Sequence, residues 1–171
     1  LEQNANPWNI GYDKRADWAG ALDFPVPILT APPADPVDVV LWVGCMGSFD
    51  KRSQKVAQAT ARLLHKAGVS FSRYGVKKVL VQCPHCLNAL KNEYPQLEGR
   101  YEVFHHSQYI ARLVAEGRLH LRPGVEGTVT FHDPCYLGRY NQEYDAPRLL
   151  LGATATAAPV EMRRSRHESF C

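Results

Sequence analysis

The chain predicts an α/β fold: a mostly parallel sheet built from two pseudo-repeated Cys-rich halves with flanking helices. Three observations carry this. Val37–Val43 (VDVVLWV) is apolar nearly throughout, as a strand buried on both faces of a parallel sheet would be. Lys77–Gln82 repeats that character and runs directly into Cys83-Pro84-His85-Cys86 and a helical pattern. The stretches VVLWVGCMG and TVTFHDPCYLG each read as strand, cysteine, Gly-containing loop and helix, a weak internal echo. Thiols then stand at the carboxyl ends of three strands, the edge where sites assemble in open α/β sheets.

At 171 residues the chain can bury a core without disulfide staples. Its 45% hydrophobic and 22% charged residues suit a soluble globular protein. A net charge of +3 argues against a nucleic-acid partner, and Arg163, Arg164 and Arg166 read as a solvated segment. No run approaches the ~18 apolar residues of a membrane span, and LEQNANPWNIGYDKRAD lacks a basic-then-apolar signal pattern. Five cysteines, two of them in CxxC, point to a reducing compartment and to thiols used for chemistry.

Residues 1–36 read as an N-terminal arm or linker, with Pro25–Pro36 extended and Trp8 and Trp18 as anchors on a neighbouring surface. After the first strand come Gly44-Cys45-Met46-Gly47. Asp50 is a good N-cap for a helix to about Lys66, with Val56, Ala59, Leu63 and Leu64 inward and Gly68 as the stop. Val69–Phe71 begins a strand. Cys83 takes a helix N-cap position, Pro84 the first helical position, Leu87 and Leu90 the apolar side, and Pro95 lies just past the end. Tyr101–His106 alternates as a strand. Ser107 caps a helix to about Glu116 with Tyr109, Ile110, Leu113 and Val114 inward, closed by Gly117. Thr128–His132 and Val160–Met162 read as further strands, with a loop and helix between them.

One step is awkward. Only SRYGV separates Val69–Phe71 from Lys77–Gln82, whereas parallel strands need a crossover of about a dozen residues or more. A loop and helix are therefore expected to be missing between Phe71 and Ser72. On this reading 37–127 form the first half and 128–171 the incomplete start of the second.

Cys83 and Cys86 sit at a helix N-terminus, which favours thiolate over thiol. Thiolates are nucleophiles in sulfur redox chemistry and soft ligands for iron or zinc. Spacing alone leaves three uses open: an iron–sulfur cluster held by cysteines from several segments, a structural zinc on Cys45, Cys83, Cys86 and a fourth ligand, or a dithiol oxidoreductase of the strand–CxxC–helix type.

The stretches VGCMG, YGVKKVLVQCPHCLNALKNEYP, YEVFHHSQYIARLVAEGRL and TVTFHDPCYLGRYNQEYDAPR resemble the Cys-rich CCG-domain family. That family includes heterodisulfide reductase B and D subunits, the C subunit of anaerobic glycerol-3-phosphate dehydrogenase, lactate-oxidation iron–sulfur subunits and electron-transfer-flavoprotein dehydrogenase-like proteins. The similarity covers about 37–171, and the arm is similar to the linker after a ferredoxin-like domain in larger members. Cys45 matches the leading cysteine of the first half, and Cys83 and Cys86 its CxxC. The middle Cys-Cys-Gly element is absent where the strand argument finds a gap. Cys135 matches the leading cysteine of the second half, and Cys171, 36 positions on, the first cysteine of its CCG element.

The resemblance implies a [4Fe–4S] cluster, non-cubane in some members, with Cys45, Cys83, Cys86, Cys135 and Cys171 as cofactor-binding and metal-ligating candidates. Zinc is the alternative. It implies an iron–sulfur electron-transfer domain of a multi-domain, membrane-associated oxidoreductase at the cytoplasmic, inner face of the membrane. The donor would be a flavoprotein or redox subunit, the acceptor a quinone or disulfide, with further iron–sulfur and membrane domains as partners. His85 could donate to a sulfur or be a surface histidine. His105 and His106 end a strand on the same edge, where a core or capping role is favoured. His132 and Asp133 read as a structural turn rather than an acid–base pair. Arg139 and Tyr140 are candidates for an acidic substrate or quinone headgroup against a role in surface packing. Gly44, Gly47 and Gly138 would permit close backbone approach.

Overall fold

The computed structural model describes residues 4, 6–27, 37–69 and 77–171. Three short parallel strands, β1 (Val40–Trp42), β2 (Lys78–Val81) and β3 (Glu102–His105), form one sheet in the order β1-β2-β3. Their register pairs Val40 with Val79 and Val81 with His105, so the carboxyl ends finish together.

The first crossover contains α1 (Gly44–Phe49) and α2 (Lys51–Lys66). Asp50 separates them and caps α2, its Oδ1 accepting from the Ser53 N–H at 2.8 Å. The second holds α3 (Pro84–Asn88), a π-turn segment Ala89–Glu93 and a 3₁₀ turn Tyr94–Leu97, so Pro95 lies inside a helical turn rather than beyond one. His105, not Ser107, is the N-cap of α4 (His106–Ala115), in a reciprocal box with Gln108. α5 (Asp145–Thr154) follows a run of turns through 135–141.

The core lies on both faces of this sheet. Leu80 and Val39 meet Leu64 of α2 and Tyr109, Ile110 and Leu113 of α4 on one side. Val79, Val81 and Val103 meet Leu87, Leu90 and Leu137 on the other. Leu64, Leu80 and Leu113 are essentially inaccessible, so truncating any one to alanine costs about 2–5 kcal/mol.

A third cluster lies outside the sheet. Residues Tyr12–Ala21 of the arm form a 3₁₀ helix that buries Trp18 against Ala57 and Ala61 of α2. Gln58 and Arg62 donate to the Trp18 and Ala21 carbonyls at 2.8 and 3.0 Å. This contact rotates α2 from its expected orientation: Ala57, Thr60, Ala61 and Leu64 face inward, and Val56 is 45% exposed. Trp8 packs on Phe49, their ring centroids 6.1 Å apart.

The architecture corrects the expected fold class. Helices account for 46% of the described residues and strands for 9%, so the fold is predominantly helical with a small sheet, not a sheet-dominated pair of repeated halves. Thr128–His132 forms no strand, and neither does Val160–Met162. The two stretches share the Val160 N–H to Val129 carbonyl bond at 2.8 Å, while Val125 and Ala155 make an isolated parallel bridge. A ladder needs a neighbouring strand to repeat its bonds, and these segments lie largely exposed, Val160 at 56%. The expected strand at Val69–Phe71 and the Phe71–Ser72 junction extend outside the described residues.

Candidate functional site

Cys83 caps α3 with extended backbone (φ −92°, ψ 125°), and Pro84 occupies the first turn where an N–H is not needed. Its thiol receives a hydrogen bond from Cys86, and the backbone N–H groups of Cys86 and His85 turn toward it. The Cys86 thiol, then these N–H groups and the His85 ring, outweigh burial and hold Cys83 down at about 5. His85 Nδ1 stands 3.8 Å from Cys83 Sγ. Cys86 moves the opposite way: its bond to Cys83, burial and the nearby Cys83 and Cys45 sulfurs all push its thiol up, against the Trp42 indole N–H. One proton is thus shared unequally. The pair favours the thiolate at Cys83 and the proton at Cys86.

Cys45 arrives from β1 through α1. Gly44 enters that helix at φ +68°, a left-handed conformation that glycine adopts at little cost, and a Cβ there would stand 3.7 Å from Cys86 Sγ. At Gly47 a Cβ would lie 2.5 Å from the Val43 side chain.

The second pair is Cys135 and Cys171, with sulfurs 2.9 Å apart. Their bond raises the Cys135 thiol and lowers that of Cys171. Asp133 builds this corner. Its carboxylate accepts from both Arg148 Nη atoms and from the Arg166 N–H, while its carbonyl accepts from Ser169 Oγ, two residues before Cys171. Burial would raise the Asp133 carboxyl, but the bonds from Arg148 and Arg166 outweigh it and hold it below the usual range. Asp133 is thus the structural turn expected of it, and no acid–base partner of His132. Arg139 is spent on the Ser169 carbonyl at 2.7 Å, and Tyr140 stacks on Tyr136 at 4.8 Å. A Cβ on Gly138 would fall 2.5 Å from the Tyr144 ring, so only glycine fits that turn.

The His85 and Tyr136 rings, 4.4 Å apart, bring the two thiol pairs' loops together. Asn88, Asn92 and Asn141 link the same loops by hydrogen bonds. His105 and His106 are inward-facing. His105 bridges the Ser107 hydroxyl and the Gln82 carbonyl, next to Cys83. Trp42, Tyr136 and Arg148 went unrecognised in the sequence; Trp42 stands three residues before Cys45, but nothing in the pattern marks its indole as a thiol partner.

The donor set corrects the expected cofactor. Among the described residues, which include all five cysteines, no three Cys, His, Asp or Glu side chains converge to hold a metal ion. A [4Fe–4S] cluster or a tetrahedral zinc needs about four such ligands. The cysteines instead form two hydrogen-bonded thiol pairs, with Cys45 beside the first.

Residues 129–171, which include Cys135, Asp133 and Cys171, match the cysteine-rich domain family called CCG. Three relatives extend the likeness over the rest. The EtfAB:quinone oxidoreductase of Syntrophomonas wolfei is 36% identical over 206 residues, covering all of this chain and 29% of the relative. The chain belongs to the CCG family of iron–sulfur-type oxidoreductases. A protein named "Probable membrane-anchored ferredoxin" in Chromohalobacter salexigens is 35% identical over 97% of the chain and 30% of its own length. A component of the dihydromethanophenazine:CoB–CoM heterodisulfide reductase of Methanosarcina mazei is 30% identical over 80% of the chain and 43% of its own length. The chain therefore spans less than half the length of these CCG relatives, and no solved structure matches it. Among the described residues no helix is long and apolar enough to cross a membrane.

Proposed function

We propose that this chain is an electron-transfer module of a larger, membrane-associated oxidoreductase and that it carries an electron pair on Cys83 and Cys86. The single observation behind the reading is the placement of Cys83 and Cys86 together at the N-terminus of α3, with His85 Nδ1 3.8 Å from Cys83 Sγ, an arrangement that lowers the Cys83 thiol and raises that of Cys86. A flavoprotein-type donor and a quinone or disulfide acceptor are supported by the names of the CCG relatives. Membrane association is supported by the name of a third. Cys45 stands beside the pair, and Cys135 with Cys171 forms a second dithiol across the His85–Tyr136 contact.

With a disulfide acceptor the chemistry balances on these residues alone. The Cys83 thiolate attacks one acceptor sulfur, and the other leaves as a thiolate. The negative charge at Cys83 disappears in the mixed disulfide, which removes the main cause of the raised Cys86 thiol. Cys86 then loses its proton, attacks Cys83 Sγ and expels the second acceptor thiolate. The acceptor gains two electrons, and the chain is left with a Cys83–Cys86 disulfide. Two electrons from the flavoprotein donor and one proton restore the Cys83 thiolate and the Cys86 thiol.

Prereduced chain mixed with hydroxyethyl disulfide tests this. A Cys83–Cys86 disulfide appears in the peptide map, with one reagent disulfide consumed for it beyond any taken up by Cys135 and Cys171. Cys86→Ser stalls with the reagent attached to Cys83. Unchanged consumption by Cys83→Ser would contradict the assignment.

A further inference from the structure

The arm carries a cation that the thiol sites do not use. Arg15, on the 3₁₀ helix Tyr12–Ala21, holds its guanidinium against two aromatic rings, 4.9 Å from the Tyr12 centroid and 5.4 Å from that of Phe49. Both distances lie within the ~6 Å reach of a cation–π contact. Trp8 packs on Phe49 yet stays 38% exposed, and Tyr12 is 60% exposed. Trp, Tyr and Arg thus share one face, and these residue types dominate binding at protein interfaces.

Two arginines among the described residues are partly buried, Arg15 and Arg148. Arg148 is answered by the carboxylates of Asp133 and Glu161. Arg15 has neither a carboxylate nor a hydrogen-bond acceptor among those residues. Its Nε is enclosed, whereas both Nη atoms, equally unpartnered, reach solvent. The nearest acids in the chain do not fill the role. Asp13 turns to Lys14 at 3.6 Å, and Asp17 is exposed without pairing to Arg15. The rings fix the guanidinium, and its open fork matches the two oxygens of a carboxylate.

A nucleic acid calls for several cations together. Here Asp13 and Asp17 balance Lys14 and Arg15, so the face suits a single carboxylate in an apolar frame rather than a polyanion. The chain spans 29% of the Syntrophomonas oxidoreductase and 30% of the Chromohalobacter protein, and the arm lies inside the match to the first. Most of each relative's length lies outside the match, and it is a source of surface to cover this face.

We propose that the Trp8–Tyr12–Arg15 face docks an acidic surface of a neighbouring domain in the same longer protein, with an Asp or Glu carboxylate on the Arg15 fork. This docking rests on the chain being a module of a larger protein, and no thiol takes part in it.

Arg15→Lys in the native full-length protein places an amine at the fork. Carbodiimide joins an amine to a carboxylate in direct contact, and peptide mapping locates the bond. The expected result is a link from position 15 to an Asp or Glu outside residues 1–171, lost in Arg15→Gln. A link only to Asp13, Asp17 or another acid within 1–171 would overturn the proposal. So would a link only to a separate polypeptide, or none at position 15. Should Arg15→Lys fail to fold, hydroxyl-radical footprinting of the unsubstituted protein decides. Tyr12 is expected to oxidise severalfold more slowly than in the urea-unfolded protein, and oxidation close to the unfolded rate would overturn the docking. The native protein's intact mass tests its being a larger protein separately. A longer protein without the link sinks the docking alone, and a mass no greater than this chain's would overturn both.

Discussion

Arg148 and Asp133 form a fork-to-fork ion pair, Nη1 to Oδ1 at 2.7 Å and Nη2 to Oδ2 at 2.8 Å, with Asp133 only 1% exposed. Glu161 takes the far side of the same guanidinium. This pair joins α5 to the turn that carries Cys135 and, through Ser169, to the segment carrying Cys171. It is the reason the second thiol pair has a defined geometry.

Removing one partner strands a buried charge. Arg148→Met is expected to cost about 3–5 kcal/mol in denaturant unfolding. Adding Asp133→Asn removes that charge while keeping an acceptor for the Arg166 N–H, so the double variant recovers most of the loss. A double variant as unstable as the single one would show that the carboxylate's charge is not the cause.

The two buried histidines set an acid limit. Burial, with the neighbouring His106 and against the Gln82 carbonyl, holds His105 down at about 3; burial, against the Val81 carbonyl, holds His106 at about 4. Both rings protonate near ~6.5 when unfolded. The unfolded chain then binds more protons between those values, so their contribution is fully present above pH ~6.5 and is lost as pH falls toward 4. The unfolding free energy from urea titrations should drop through this window with a slope of about 1.4 kcal/mol per pH unit for each histidine. Replacing His105 by Gln should remove about half that slope. The lowered carboxyls of Asp133 and Glu161 act only at more acid pH.

Cys135 and Cys171 need to approach by less than 1 Å to reach the ~2.05 Å of a disulfide. Mild oxidation should therefore link them, giving a Cys135–Cys171 cross-linked peptide by mass spectrometry. Arg148→Met should slow that linkage, because Asp133 then holds the turn less firmly.

What was legible in the chain was local. Asp50, Pro84 and Gly68 act within one turn of where they stand, and each ends or starts a helix as its chemistry dictates. The inward face of α2 was misread because Trp18, from a segment about forty residues earlier, covers Ala57 and Ala61. TVTFH has strand composition, but composition does not supply a neighbour to pair with. The CxxC thiols were readable from spacing, whereas the partners that polarise and hold the thiols, Trp42 and Arg148, come from remote positions.

The Phe71–Ser72 gap is a proposal in the same spirit. The relative's match runs over 206 positions although this chain has 171 residues, which supports additional residues in such proteins. A peptide map of the native protein is expected to place further residues between Phe71 and Ser72; a tryptic peptide with the two directly bonded would refute it.

The most direct test of the central claim is a redox titration of Cys83 and Cys86. The chain is equilibrated without oxygen against graded dithiothreitol buffers, quenched in acid, alkylated and mapped. The account predicts that both thiols appear and disappear together, as one two-electron couple with a tenfold change in ratio per ~30 mV. Cys83 and Cys86 remaining alkylatable at every potential would contradict it.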